Sequence, residues 1–381
     1  MAKKQQEEEG ASNTPQDLLE SYLQENKDDH LNFVEEQYYK VSTGSALYDL
    51  YTNGGLPPGL HRYVGPPESG KTSAILEVCR NFLATRKNRR VLYVKAEGRL
   101  SREMQARTGL KFVWSAEEWV DGTIFVFETN IYETVVNLIS KLSVASEENK
   151  TQYAFVIDSM DGLILRNDAV KTIDENNKVA GAPALTKKFL QKMANGMTKR
   201  GHLALLTSQY STNLNLDTYA GASDKRPKQG GGGWAIAHYA NFVFDFSESY
   251  NSDWIKEDDK APISTTNAAL GKWVKVKFLK STNEKTNMSI SYPVKLGVTG
   301  GSSVWRSYEI CDLMKMYKMV LGKGWLNLPD KLAEEALAAK VELPEGAKWH
   351  GTPNFLKWLD ENEPAQKFFT SRLEPFLANG V

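Results

Sequence analysis

Cysteine is scarce: Cys79 and Cys311 are the only two in 381 residues, and both sit in apolar contexts without metal-ligand spacing. A disulfide scaffold is thereby excluded, and both read as small core residues suited to a reducing compartment. Net charge is lacking as well, with 47 Lys plus Arg against 47 Asp plus Glu. Without a global positive field, any nucleic-acid site must be built from local cations. No apolar run approaches the roughly 18 residues of a membrane span, and the start is rich in Lys, Gln and Glu rather than built as a secretory leader. The expectation is a soluble, cytoplasmic protein with no membrane partner. Internal repeats are missing too. What is present is an ordinary globular composition, 41% hydrophobic, enough for one large domain plus smaller attachments at a soft prior of roughly 150 residues per domain.

Thr14-Pro15-Gln16-Asp17 predicts a helix start, with a capping hydroxyl, Pro at the first helical position and an acid in the first turn. That helix would carry Leu18, Leu19, Tyr22 and Leu23, an apolar stripe with no core of its own to pack on. From about Lys40, short β-type runs alternate with helical patterns: Val91-Leu92-Tyr93-Val94 and residues 124–127, 153–157 and 203–207. Buried parallel strands look like this. Residues 242–246, 273–279 and 289–296 alternate more and lack long intervening helices, which predicts an antiparallel extension of the same sheet. The expected division is an N-terminal segment (1–39), an α/β core (40–300) and a small C-terminal region (301–381).

Gly65-Pro66-Pro67-Glu68-Ser69-Gly70-Lys71-Thr72 fits G-x-x-x-x-G-K-[ST], followed by Ser73, with a short strand before it and an amphipathic helix after it. In that context the glycines let backbone N–H groups close around phosphate oxygens, Lys71 bridges phosphates and the Thr72 hydroxyl takes Mg²⁺. Mg²⁺ prefers oxygen ligands, so a carboxylate at a neighbouring strand end is expected, and Asp158 after Tyr153-Ala154-Phe155-Val156-Ile157 supplies it. Hydrolysis needs a group that orients the attacking water. Glu97, closing the strand of residues 91–94 on the same sheet edge, is the candidate base.

The lead-in from Val41-Ser42-Thr43-Gly44-Ser45 through Gly54-Gly55-Leu56-Pro57-Pro58-Gly59 resembles the segment that precedes the phosphate loop in the RecA family. Ala96-Glu97, Asp158-Ser159, Leu205-Leu206-Thr207-Ser208-Gln209, the glycines of residues 230–233 and Ala240-Asn241-Phe242 extend the resemblance over roughly residues 40–297. Gly324-Trp325 and residues 349–376 look most like the phage branch typified by UvsX, which would place the protein in a bacterial host's cytoplasm.

The resemblance implies a RecA-type P-loop ATPase core with a mainly parallel central sheet, ATP and Mg²⁺ as ligands, and filaments formed by self-association through the N-terminal helix. It implies homologous pairing of single-stranded with double-stranded DNA, aided by a single-strand-binding protein and a recombination mediator. Gln209 becomes the sensor of the terminal phosphate, and an amide can both donate and accept. Lys280 becomes a cation reaching a neighbour's nucleotide, Thr282 stands where the bacterial pattern has a second one, and Lys277 should face the other way by strand alternation. Adenine contacts fall on Ser101 and Met104. Two loops, residues 166–182 and 210–233, would hold DNA. Arg166, Lys171, Lys178, Lys225, Arg226 and Lys228 are the phosphate-contact candidates, Gly232 and Gly233 permit backbone contacts, and Tyr210 and Trp234 could stack on bases. A hexameric helicase on the same core, or a slowly hydrolysing ATP-gated DNA-binding scaffold, stays open beside the recombinase.

Overall fold

The computed structural model describes residues 14–27, 30–98, 100–170, 182–211, 228–229, 233–258, 260–322 and 324–378. In chain order, α1 (Pro15–Glu25) and α2 (Ala46–Tyr51) lead to β1 (Gly59–Val64). Then come α3 (Lys71–Thr85), β2 (Arg89–Lys95), α4 (Arg102–Thr108), β3 (Lys111–Val113), β4 (Thr123–Phe127), α5 (Tyr132–Asn149), β5 (Gln152–Asp158), α6 (Arg166–Ala169), α7 (Ala182–Lys199) and β6 (Leu203–Ser208). A ribbon of β7 (Tyr210–Ser211) and β8 (Lys228–Gln229) precedes α8 (Gly233–Tyr239), β9 (Phe242–Phe246), β10 (Trp254–Lys256), β11 (Ala269–Lys280) and β12 (Ser289–Lys295). The C-terminal portion holds α9 (Arg306–Met316), β13 (Trp325–Asn327), α10 (Asp330–Ala338), β14 (Lys348–His350), α11 (Gly351–Glu361) and α12 (Glu363–Ala378).

The main sheet runs β10-β11-β9-β1-β6-β5-β2-β4-β3, with β12 also on β11. Every pairing from β9 to β3 is parallel, which buries both faces and explains why β1 and β6 are buried at every residue. One face packs Tyr63, Ile75, Phe82, Tyr93, Phe244 and Phe278 into a core; the other packs Leu60, Leu92, Ile139, Phe155, Leu190 and Leu206. The structure is thus α/β with a mostly parallel central sheet.

Two strand expectations need correction. Residues 242–246 are parallel to β1, not part of the antiparallel extension, because α8 supplies the crossover helix that a parallel connection needs. The antiparallel part begins with β11, which pairs with β9, β10 and β12. Strand alternation also fails at Lys277. A bulge between Phe278 and Lys280 puts Lys277 opposite Asp245 and Lys280 opposite Val243, so both lysines share one face.

α1 has the predicted capping hydroxyl, within a full capping box: Thr14 Oγ1 accepts from the Asp17 N–H, and Asp17 accepts in return from the Thr14 N–H. None of its residues is buried, and Leu18, Leu19 and Tyr22 are each more than half exposed. At the other end, Ile310, Met314, Trp349, Phe355 and Phe369 form a third core. Buried Glu309 ties it to the α/β unit by accepting from Ser45 Oγ (2.6 Å), Ala46 N (2.8 Å) and Leu47 N (3.1 Å) at the start of α2. Three donors and a helix N-terminus offset only part of the cost of burying that carboxylate, and burial still raises its pKa.

Candidate functional site

The phosphate loop joins the end of β1 to the start of α3. Gly65 has φ 146°, and a Cβ there would lie 2.3 Å from the Phe246 carbonyl, so no side chain fits. Gly70 takes the left-handed conformation directly before α3, which lets the first N–H groups of that helix open into the cleft. Lys71 Nζ donates to Gly65 O (2.8 Å) and Pro66 O (2.6 Å), so its cation is held inside the loop it closes. The lead-in is fixed from below: Asp49 accepts from Thr43 N (2.6 Å) and Thr43 Oγ1 (2.7 Å), and Val41 bridges Leu56.

Parallel strand ends bring the acidic groups to the same edge. Asp158 Oδ2 accepts from Thr72 Oγ1 (2.9 Å) and Tyr93 Oη (2.5 Å), and its Oδ1 accepts from Thr207 Oγ1 (2.7 Å). Burial, reinforced by the Asp158 charge, pushes the Tyr93 hydroxyl well above its ordinary range, so it stays a donor. Glu97 lies just past β2, where its carboxylate accepts from Ser159 Oγ and from Gln209 Nε2 at 3.2 Å. Gln209 is also held through its backbone, whose N–H donates to Asp161 Oδ2 at 2.6 Å. Thr72 and Asp158 form a pair of hard oxygens that would suit Mg²⁺, which would draw its other ligands from water and phosphate oxygens. A cation there would neutralise charge on the phosphates.

Lys71, Thr72, Glu97, Asp158, Ser159, Thr207 and Gln209 line a cleft of about 650 Å³, together with Glu68, Ser69, Ser73, Met104, Arg107 and Lys272. The sequence reading missed Tyr93, Thr207, Arg107 and Lys272, and also the wall contributed by Tyr292, Val294 and Val304. Only Thr207 carried a signal, being a polar residue ending an apolar strand. Ser101 is not among the lining residues; its hydroxyl instead caps α4 by accepting from Met104 N at 3.1 Å. Met104 and Arg107 do line the cleft. Gly65 and Pro66 contribute carbonyls to Lys71 rather than surface to the cleft.

Lys280 points elsewhere within this chain. Its Nζ donates to Ala237 O (3.0 Å) and His238 O (2.7 Å) at the end of α8, and burial lowers its pKa. Tyr210 packs half-buried against the second core and its hydroxyl donates to Asp245. Exposed Arg166 is held by Thr134 Oγ1 at 2.7 Å. Lys228 lies in β8 and Gly233 opens α8. Lys171, Lys178, Lys225, Arg226 and Gly232 lie outside the described residues.

No protein-family model matches the chain. Over 207 residues it is 25% identical to Protein RecA of Crocosphaera subtropica (strain ATCC 51142 / BH68), a stretch covering 54% of this chain and 53% of that relative. The stretch is homologous to RecA. This chain thus spans about half the length of the curated relative it matches. Among solved structures, the RadB recombinase aligns with a TM-score of 0.44 and 15% identity, over 67% of this chain and 96% of that one. RecA homology agrees with the family resemblance drawn from the lead-in and the strand-end residues, and neither comparison distinguishes a phage branch.

Proposed function

We propose that the chain is an ATP-dependent DNA recombinase of the RecA type, on the phage branch typified by UvsX. It binds ATP with Mg²⁺ in the cleft, polymerises on single-stranded DNA and pairs that strand with homologous duplex. The observation that carries this reading is the position of Gln209. Its side chain sits on Glu97 at the floor of the cleft, and the very next residue begins the segment that follows β6. The terminal phosphate of ATP offers Gln209 an acceptor that ADP lacks, so the two nucleotides favour different states of that segment.

In this reading Lys71 and the loop hold the phosphates, Thr72 and Asp158 hold Mg²⁺, and Glu97 orients the attacking water. Arg166 and the lysines and arginine of the two loops contact DNA phosphates. α1 docks on the next protomer, which accounts for its exposed Leu18, Leu19 and Tyr22. Eleven residues are too few for a stable isolated helix, and burying each large apolar side chain contributes about 1.5–3 kcal/mol. A single-strand-binding protein and a recombination mediator would assist loading. Strand exchange between a single-stranded oligonucleotide and homologous duplex tests the whole reading. Product that requires both ATP and homology is expected; ATP-driven unwinding without pairing would replace it with a helicase.

A further inference from the structure

β6 runs out into three consecutive residues that are each gripped from a different part of the molecule. Ser208 Oγ accepts from Arg62 Nε at 3.1 Å, and Arg62 rises fully buried from the middle of β1. Gln209 gives its backbone N–H to Asp161 Oδ2 at 2.6 Å and its side-chain amide to Glu97. Tyr210 gives its hydroxyl to Asp245, which pairs with Val64 beside the phosphate loop. Asp161 sits in the short turn after Asp158-Ser159, where burial raises its pKa, opposed by the Gln209 N–H and the nearby Arg62 guanidinium. It does not line the cleft.

A sensor must tell the presence of a phosphate from its absence with little wasted motion. If the main chain of Gln209 were loose, its amide could reach a phosphate without moving anything beyond it. Held by the hydrogen bond to Asp161, the main chain does not absorb the pull of a side chain drawn from Glu97 to a ligand, and passes it on to Tyr210.

We infer that Asp161 is a positioning residue, whose carboxylate fixes the main chain of Gln209 so that nucleotide occupancy is relayed to the segment beginning at Tyr210. The inference rests on the reading of Gln209 as the nucleotide sensor. Fixing one residue's backbone is worth on the order of tenfold in an equilibrium constant, which sets the size of the effect.

The test compares the affinity for a fluorescently labelled single-stranded oligonucleotide in a non-hydrolysable ATP analogue with that in ADP, read by anisotropy on the full chain. For D161A the ratio should fall about tenfold, while binding of a fluorescent ATP analogue changes by less than about twofold. D161N, whose amide oxygen can still accept from Gln209, should keep most of the ratio. A parental ratio in folded D161A overturns the inference. Hydrogen–deuterium exchange on the unaltered, nucleotide-free chain supplies a second arm, in which a peptide spanning residues 203–211 should retain the Gln209 amide proton. Exchange of that proton at the unprotected rate overturns the clamp even if D161A does not fold. Should the unaltered protein show no nucleotide-linked DNA affinity, the recombinase reading fails, while the exchange result still decides whether Asp161 holds Gln209.

Discussion

Glu97 is engaged from two sides, accepting from both Ser159 and Gln209. A carboxylate so held is oriented to take a proton from a water beside it. Replacing Glu97 with Gln preserves size and one acceptor oxygen but removes the basic lone pairs. Nucleotide and DNA binding should survive while hydrolysis slows by at least about 10²-fold, the lower range for losing a general base. Phosphate release under single-turnover conditions measures this, and undiminished turnover would move the base to another group. The strand-edge positions of Glu97 and Asp158 were legible because each follows an apolar strand run and parallel strands deliver their ends to one edge, whereas Gln209 came only from the family resemblance. Tyr93 was not, since a tyrosine inside a strand run reads as core, and its hydroxyl reaches Asp158 only because β2 and β5 lie side by side.

At the level of elements, the buried edge opposite the cleft carries a pH-sensitive joint. His202 Nδ1 accepts from Tyr153 N (3.1 Å) at the start of β5, so its Nε2 carries the proton that meets Ser146 Oγ (2.9 Å) on α5. Adding a second proton at Nδ1 would set two N–H groups against each other, and burial lowers this pKa from 6.5 to about 4. A depressed folded-state pKa means the unfolded chain binds more protons between about pH 4 and 6.5. Stability therefore is fully present above pH 6.5 and is lost as pH falls toward 4, by roughly 3 kcal/mol for this one group. His61, also buried and lowered to about 4, acts in the same direction, whereas Asp49, Glu77 and Glu309, raised by burial, act oppositely. His202→Gln keeps a donor and an acceptor without a titration. Urea denaturation from pH 4.5 to 7 should show a shallower rise of stability with pH in the variant, and equal slopes would refute the assignment. The same scale shows where sequence patterning failed. α8 was hidden behind a glycine run, so β9 looked like a hairpin partner rather than a crossover strand, and the bulge that turns Lys280 onto the face of Lys277 leaves no pattern of its own.

Across the whole molecule, a single chain supplies the phosphate loop, Glu97 and Asp158 but keeps Lys280 on the α8 carbonyls. If that lysine completes a neighbour's cleft in a filament, it must exchange those carbonyls for phosphate, and the exchange can occur only on assembly. An isolated subunit then lacks the cation that stabilises charge on the transferring phosphate, so single-stranded DNA, by gathering subunits, should stimulate hydrolysis. Lys280→Ala should abolish most of that stimulation while sparing nucleotide binding by the monomer. A purely local role, capping α8, makes the same first prediction, so the deciding measurement is a mixture. Combining Lys280→Ala with Glu97→Gln places, at some interfaces, an intact Glu97 from one variant against an intact Lys280 from the other. With random assembly at equal amounts, about a quarter of the interfaces regain both groups, and DNA-stimulated phosphate release should recover toward about a quarter of the parental rate. Neither variant alone can do this, and a cap acting within its own chain cannot be supplied by a neighbour. Full DNA-stimulated hydrolysis by Lys280→Ala alone would show that the cleft needs nothing from the next subunit.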